Sequence, residues 1–138
     1  MQALPLIIQD ISTQRRSQMI DITQAVQDAA ERLGVAEGMA VLHVPHTTAA
    51  VTINENADPD VQHDLLLKLE GMIPKSEAFY EHGEGNSDSH LKSSLVGCSV
   101  TVLIERGKLA LGTWQGIYFC EFDGPRRRQW WMKLVRFD

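Results

Sequence analysis

The sequence predicts an α+β fold: one compact domain with a largely antiparallel, sandwich-like sheet and two main helices. Three observations predict it. Strand-type runs dominate the second half, from Ser99 onward, and turn-type dipeptides separate them. Two segments with apolar residues at helical spacing precede them. The regular strand–helix alternation of a doubly wound parallel sheet stops after Gly97. A chain of 138 residues suits a single core spanning 1–138.

Residues 4–11 are apolar enough for a first strand. Asp21 and Gln24 resemble a capping box with Asp21 as N-cap, and Ile22, Val26, Ala29, Ala30 and Leu33 follow at helical spacing. Gly34 stops that helix. Residues 39–44 and 49–53 read as strands, broken by Pro45-His46-Thr47-Thr48. Asp58-Pro59 opens a second helix, because Pro is favoured at the first helical position. Val61, Leu65, Leu69 and Met72 form its expected buried stripe. Ser87 is placed to cap a short helix through Leu95. Residues 99–105 form a strand, with Arg106-Gly107 turning into residues 108–111. Residues 112–116 interrupt the pattern, 117–122 resume it, Asp123-Gly124-Pro125 turns, and 128–137 is the last strand.

Hydrophobic content of 43% and charged content of 22% are ordinary for a globular protein. A net charge of −5 argues against a broad electrostatic grip on nucleic acid. No run approaches the ~18 apolar residues of a membrane span, and the N-terminus lacks a signal-peptide pattern. The expectation is a cytoplasmic protein with neither nucleic-acid nor membrane partners. Cys98 and Cys120 lie in no CxxC and are expected as two reduced, buried thiols. Neither GxGxxG nor a Walker-type loop is present.

Chemistry-bearing residues concentrate in four places. Residues 81–90, EHGEGNSDSH, pair His82 and His90 around two glycines that supply a turn. His90 falls in the first turn of the helix expected from Ser87, where neutral imidazole is favoured over the cation. With His46 from the strand break, these make a three-histidine set able to leave one metal position open. Glu84 or Asp88 could orient an imidazole. Spacing alone also fits an ordinary turn with local hydroxyl bonds at residues 45–48. His63 is expected on the surface, and His43 on the face opposite Leu42 and Val44. Trp114 and Gln115, between two glycines, suit a planar ligand ring or a packed β-bulge. Arg126-Arg127-Arg128 suits a phosphate or a solvated strand end; the middle arginine points opposite to its neighbours. Asn54 and His46 fall at opposite ends of one strand. Glu121 is either outward or functional.

These residues also carry a resemblance. His46-Thr47-Thr48-Ala49 with residues 52–59, residues 84–88 with 90–95, and residues 111–118 with Glu121 and the arginines after Pro125 resemble the YjbQ-like family. The similarity covers nearly the whole chain. It implies a secondary thiamine-phosphate synthase-like protein, a transferase acting on a small, phosphorylated substrate, and a homotrimer. By this resemblance His46, His82 and His90 are the metal candidates. The metal is a divalent ion of the zinc type; magnesium prefers oxygen ligands and suits the histidines less. Glu55, His82, His90 and Glu121 are the expected catalytic groups. Thr47, Asn54, Trp114, Gln115, Arg126 and Arg127 are the expected substrate-binding groups. Two alternatives stand beside the transferase: a binding module for a small anionic or heterocyclic metabolite, and a metal-dependent hydrolase.

Overall fold

The structure, a computed structural model, describes residues 1–138 as two antiparallel sheets and three helices. Pro5 divides the first apolar run into β1 (Gln2–Ala3) and β2 (Ile7–Ser12). Both pair with one side of β9 (Arg127–Arg136). The other side of β9 takes β4 (Gly38–His43), which then pairs with β6 (Ser99–Glu105). β7 (Lys108–Leu109) closes this sheet through the Arg106-Gly107 turn. Both turn residues have positive φ, 52° and 77°, as the tight primed turns of hairpins require. The β4–β9 pairing closes only on glycine at 38, where a Cβ would stand 2.0 Å from the Val135 carbonyl oxygen.

The second sheet has the order β3 (Gln18–Asp21), β8 (Gln115–Glu121), β5 (Ala49–Glu55). The sequence pattern did not indicate β3. One face of each sheet meets in the main core, which holds Leu42, Val102, Met132 and Leu134 from the larger sheet and Val51, Ile117 and Phe119 from the smaller. Burying a side chain such as Phe119, which has no exposed surface, contributes roughly 1.5–3 kcal/mol. The outer face of the smaller sheet carries a second cluster of Ala50, Tyr118, Cys120 and Phe122. That is why β8 is buried on both faces from Gly116 to Glu121.

Helix α1 (Thr23–Arg32) buries Val26, Ala29 and Ala30, as its spacing predicts. Its N-cap is Ile22, not Asp21. Asp21 ends β3, and its carboxylate accepts from the Thr23 amide and hydroxyl, while Gln24 bonds forward to Asp28. Helix α2 (Pro59–Met72) starts as expected: the Asp58 side chain accepts from the Asp60 amide. Its expected buried stripe is not buried. No α2 residue is buried, and Met72 is 58% exposed. The stripe faces a cleft on the outer sheet face instead of the core. Helix α3 (Ser87–Val96) is capped by Asn86, one residue before Ser87. No helix is long and apolar enough to cross a membrane.

Candidate functional site

Strand register decides which site residues can meet. Ala49 pairs with Glu121 and Glu55 with Gln115. The two ends of this ladder are six residues apart, roughly 20 Å at about 3.3 Å per residue. His46, Thr47 and Glu121 belong to the first end. Asn54, Glu55, Trp114 and Gln115 belong to the second.

At the first end, His46, Thr47, His90, Ser93, Ser94 and Cys98 line a cavity of about 380 Å³. Helix α3 supplies His90, Ser93 and Ser94, spaced i, i+3 and i+4, and so presents one face to it, and its C-cap Gly97 completes that wall. The His82 ring stands edge-on to His90, with centroids 5.2 Å apart. Glu84 lies 3.7 Å from His82 Nε2, beyond hydrogen-bond reach, so it does not fix that ring. Asp88 does not orient a histidine. It lies on another side of α3, fully buried, where Arg16 donates two bonds of 2.9 Å and Lys92 one of 3.0 Å. Burial opposes the charge of Asp88, but the bonds from Arg16 and Lys92 outweigh it and hold the carboxyl at about 2.

His46 is held by the neighbouring sheet. The Gln129 amide donates to its Nε2 at 3.0 Å, so the ring proton sits on Nδ1. Burial, and then the charge of Arg128, lower its pKa and keep the ring neutral. Ser93 is 7% exposed, and its Oγ has no hydrogen-bond partner. The cavity therefore combines a neutral imidazole fixed in one tautomer with a lining serine whose buried Oγ has no partner. The three-histidine metal set expected from the sequence is not assembled. No group of three His, Cys, Asp or Glu side chains is arranged to hold a metal ion. The lone pair of His46 Nε2 already accepts the Gln129 amide, so these donors do not fit a metal within one chain.

Glu121, expected as catalytic, has no exposed surface. Its oxygens accept from Thr13 at 2.8 Å, from Arg128 at 2.9 and 2.5 Å, and from the amides of Phe122 and Asp123. Burial opposes its charge, but Arg128, the Asp123 amide and Thr13 outweigh it and lower its pKa. It anchors the end of β8 and is not free to exchange protons with a substrate. The arginines separate as strand geometry dictates. Arg128 turns inward to Glu121. Arg126 pairs with Asp123 at 3.0 Å, and Arg127 lines a separate cleft with Asp10 and Ser12. Neither Arg126 nor Arg127 lines the histidine cavity.

At the second end, Glu55 accepts from the Ala57 amide at 3.2 Å, and Gln115 from the Gly112 amide at 2.8 Å. Asn54 borders an apolar cleft of about 240 Å³ with Leu66, Leu69, Leu95 and Phe122. Trp114 is 62% exposed and stacks on no other ring. His63 and His43 are exposed, as expected, His43 against Trp131 at a ring-centroid distance of 5.8 Å. A cavity of about 630 Å³ between α2 and β3 contains none of the expected site residues.

The profile described as UPF0047 protein YjbQ-like matches residues 8–136. The chain belongs to the YjbQ-like family. It is 55% identical over 125 residues to the UPF0047 protein MJ1081 of Methanocaldococcus jannaschii, covering 91% of this chain and 90% of that one. It is 50% identical to the UPF0047 protein YugU of Bacillus subtilis, covering 91% and 95%. Among solved structures, a YjbQ/UPF0047 protein of Clostridium acetobutylicum superposes with a TM-score of 0.91 at 53% identity, covering 94% of this chain and 99% of that one. That relative is described as an uncharacterised conserved protein. A protein of Sulfolobus solfataricus, described as of unknown function, gives a TM-score of 0.91 at 29% identity over 98% of both chains. The YjbQ-like α+β fold expected from the residues is thereby shown, and the relatives assign it no activity.

Sequence reasoning did not single out Ser93 and Cys98 of this YjbQ-like cavity. Ser93 looks like any helical serine until its missing partner is seen. Cys98, expected as buried, is exposed on the cavity wall, whereas Cys120 is buried as expected. The only available signal was spacing: Ser93, Ser94 and Gly97 follow His90 at helical intervals.

Proposed function

We propose that the protein is a small-metabolite transferase of the thiamine-phosphate synthase type, whose histidine cavity receives the phosphoryl oxygens of its substrate. One observation carries this reading: a neutral His46 with its proton on Nδ1 shares a cavity with the unpartnered hydroxyl of Ser93. Phosphoryl oxygens accept hydrogen bonds, and donors fixed beforehand need no reorganisation as charge builds. In the proposed reaction a thiazole nitrogen attacks the methylene carbon of a pyrimidine-methyl pyrophosphate. A C–N bond forms, the C–O bond breaks, and pyrophosphate leaves with the electron pair. His46 and Ser93 donate to the oxygens that gain charge, and no covalent nucleophile from the protein is needed. No step is routed through a metal ion, because the donors of one chain do not fit one.

The flat pyrimidine suits Trp114 and Gln115, which lie roughly 20 Å away along β5 in the same chain by the strand rise. We therefore extend the proposal to a homotrimer in which the Trp114 end of one protomer faces the histidine cavity of the next. The exposure of Trp114, and of Leu67, Met72 and Leu95 on the helices, supports it. The test is complementation. Variants His46→Ala and Trp114→Ala are each expected to be inactive with the two half-substrates. Unfolded and refolded together, they should recover activity from mixed oligomers. Recovery no greater than the sum of the separate variants would reject the shared site.

The second reading is a binding module without turnover. It is favoured by the lack of a carboxylate in the cavity lining: Glu121 is engaged by Arg128, and Glu55 lies at the other end of the ladder. Titration calorimetry with pyrophosphate distinguishes the two: binding with no product from the paired half-substrates supports the module.

A further inference from the structure

The two thiols occupy opposite environments. Cys120 is buried in the outer cluster, and burial pushes its pKa up to about 12. Cys98 is exposed and lines the cavity beside His46, His90 and Ser93. Its backbone is pinned to the sheet. The Cys98 carbonyl accepts from the Val44 amide at 2.8 Å, and the preceding Gly97 carbonyl accepts from Val51 at 3.0 Å. Gly97 itself has a φ of 101°, a conformation that carries the chain from the end of α3 straight into β6. The thiol is thus held on the wall of a cavity instead of riding on a loose loop.

The cavity independently calls for a polar occupant. The Ser93 hydroxyl is buried with no protein partner, and leaving such a group unmade costs about 1–3 kcal/mol. A molecule that bonds to Ser93 therefore sits within the space bounded by Cys98.

We infer that Cys98 is a thiol-modification site for small, polar disulfides, and that the adduct occludes the cavity. The Cys98 thiol loses its proton to water, and the thiolate attacks one sulfur of the disulfide. A new S–S bond forms to Cys98 and the other half leaves as a thiolate, so one disulfide replaces another. The retained half carries carboxylate and amide groups toward Ser93 and His46. An adduct seated in this cavity of about 380 Å³ would compete for its space with a phosphorylated ligand. The occlusion rests on the proposed phosphoryl pocket, whereas the modification itself does not.

The test uses the full chain and oxidised glutathione. Intact-mass spectrometry should show one adduct per chain, reversed by dithiothreitol, present in Cys120→Ser and absent in Cys98→Ser. No adduct on the native chain, or equal labelling at Cys120, would overturn the modification site. Pyrophosphate titrated into unmodified protein, the adduct, and the adduct after dithiothreitol separates the second part. At least tenfold weaker binding in the adduct, restored by dithiothreitol, supports occlusion, and equal binding by adduct and parent overturns it. Should the unmodified protein bind no pyrophosphate, the phosphoryl pocket and the occlusion built on it fall together, and the labelling result still decides Cys98.

Discussion

The main-chain N–H of Gln129 donates to Nε2 of His46 across 3.0 Å. A strand of the larger sheet thereby dictates which nitrogen carries the proton in a cavity next to α3. The imidazole acts there as a hydrogen-bond donor. A histidine serving as a metal ligand or general base would present a lone pair, and here the accessible nitrogen has none.

His46 is expected to titrate below the ordinary histidine value of about 6.5. Burial and Arg128 both disfavour its cation. Because the folded value is depressed, its contribution to stability is complete above the unfolded value and is lost as pH falls through the folded one. Turnover should decline over the same window, since a protonated ring cannot accept the Gln129 amide. Nitrogen-resolved NMR of the ring checks this. A proton on Nε2, or titration above 6.5, would contradict it.

Ser93→Ala should weaken pyrophosphate binding by about 1–1.5 kcal/mol, roughly tenfold, through loss of one donor. The same change should leave the melting temperature unchanged or raise it, because it removes a buried hydroxyl that has no partner. A purely structural serine would show the reverse, a lower melting temperature with unaltered binding.

Asp88→Asn should destabilise the fold, by less than the about 3–5 kcal/mol of a fully orphaned buried charge, because Lys92, itself 1% exposed, would keep only its half-exposed partner Glu70. In the parent, the depressed carboxyl predicts stability that is full above about pH 4 and falls away toward pH 2. Urea unfolding measured between pH 2 and pH 6 should show this slope in the parent and a flatter one in the variant.

Metal content measured on untagged protein, purified without chelating resin, should fall well short of one transition metal per chain. Chelator treatment should leave the melting temperature unaltered. A stoichiometric metal lost in both His46→Ala and His90→Ala would overturn the donor reading of His46.

Static light scattering should give three times the chain mass. Leu67→Glu, placed at a residue 62% exposed on α2, should reduce that mass without unfolding the sheets. A parent that already scatters as a single chain would remove the trimer and the shared site with it.

Much of the sandwich was legible because its strands alternate cleanly or run apolar throughout. β4, β6, β8 and β9 each match their expected ranges within two residues. β3 was not legible: four residues with two polar ends, at a sheet edge, carry too little pattern. The α2 stripe was read correctly as amphipathic, but periodicity reports a face and not what covers it. At the site, the motifs placed His46 and His90 on one cavity wall. Strand length already set Asn54 apart from His46, but the motifs could not reveal that register sets Trp114 apart as well, since register is a property of the pairing and not of either strand. Glu121 misled for a related reason: a carboxylate in an apolar strand signals either function or a buried partner, and Arg128 is seven residues away in sequence.

Helix α2 buries no residue and is fastened chiefly by its Asp58 cap, by a bond from Gln62 to the Glu55 carbonyl, and by the Lys92–Glu70 ion pair. Its opening uncovers the outer cluster of Tyr118, Cys120 and Phe122 on which Leu66 and Leu69 pack, while the main core between the sheets stays closed. In hydrogen exchange it should therefore behave as the least protected cooperative unit, with amides trading protons through openings that leave both sheets intact. The helix becomes a reporter. Any neighbour or ligand that covers it will register as slowed exchange at 63–72, before a change in global stability can be measured.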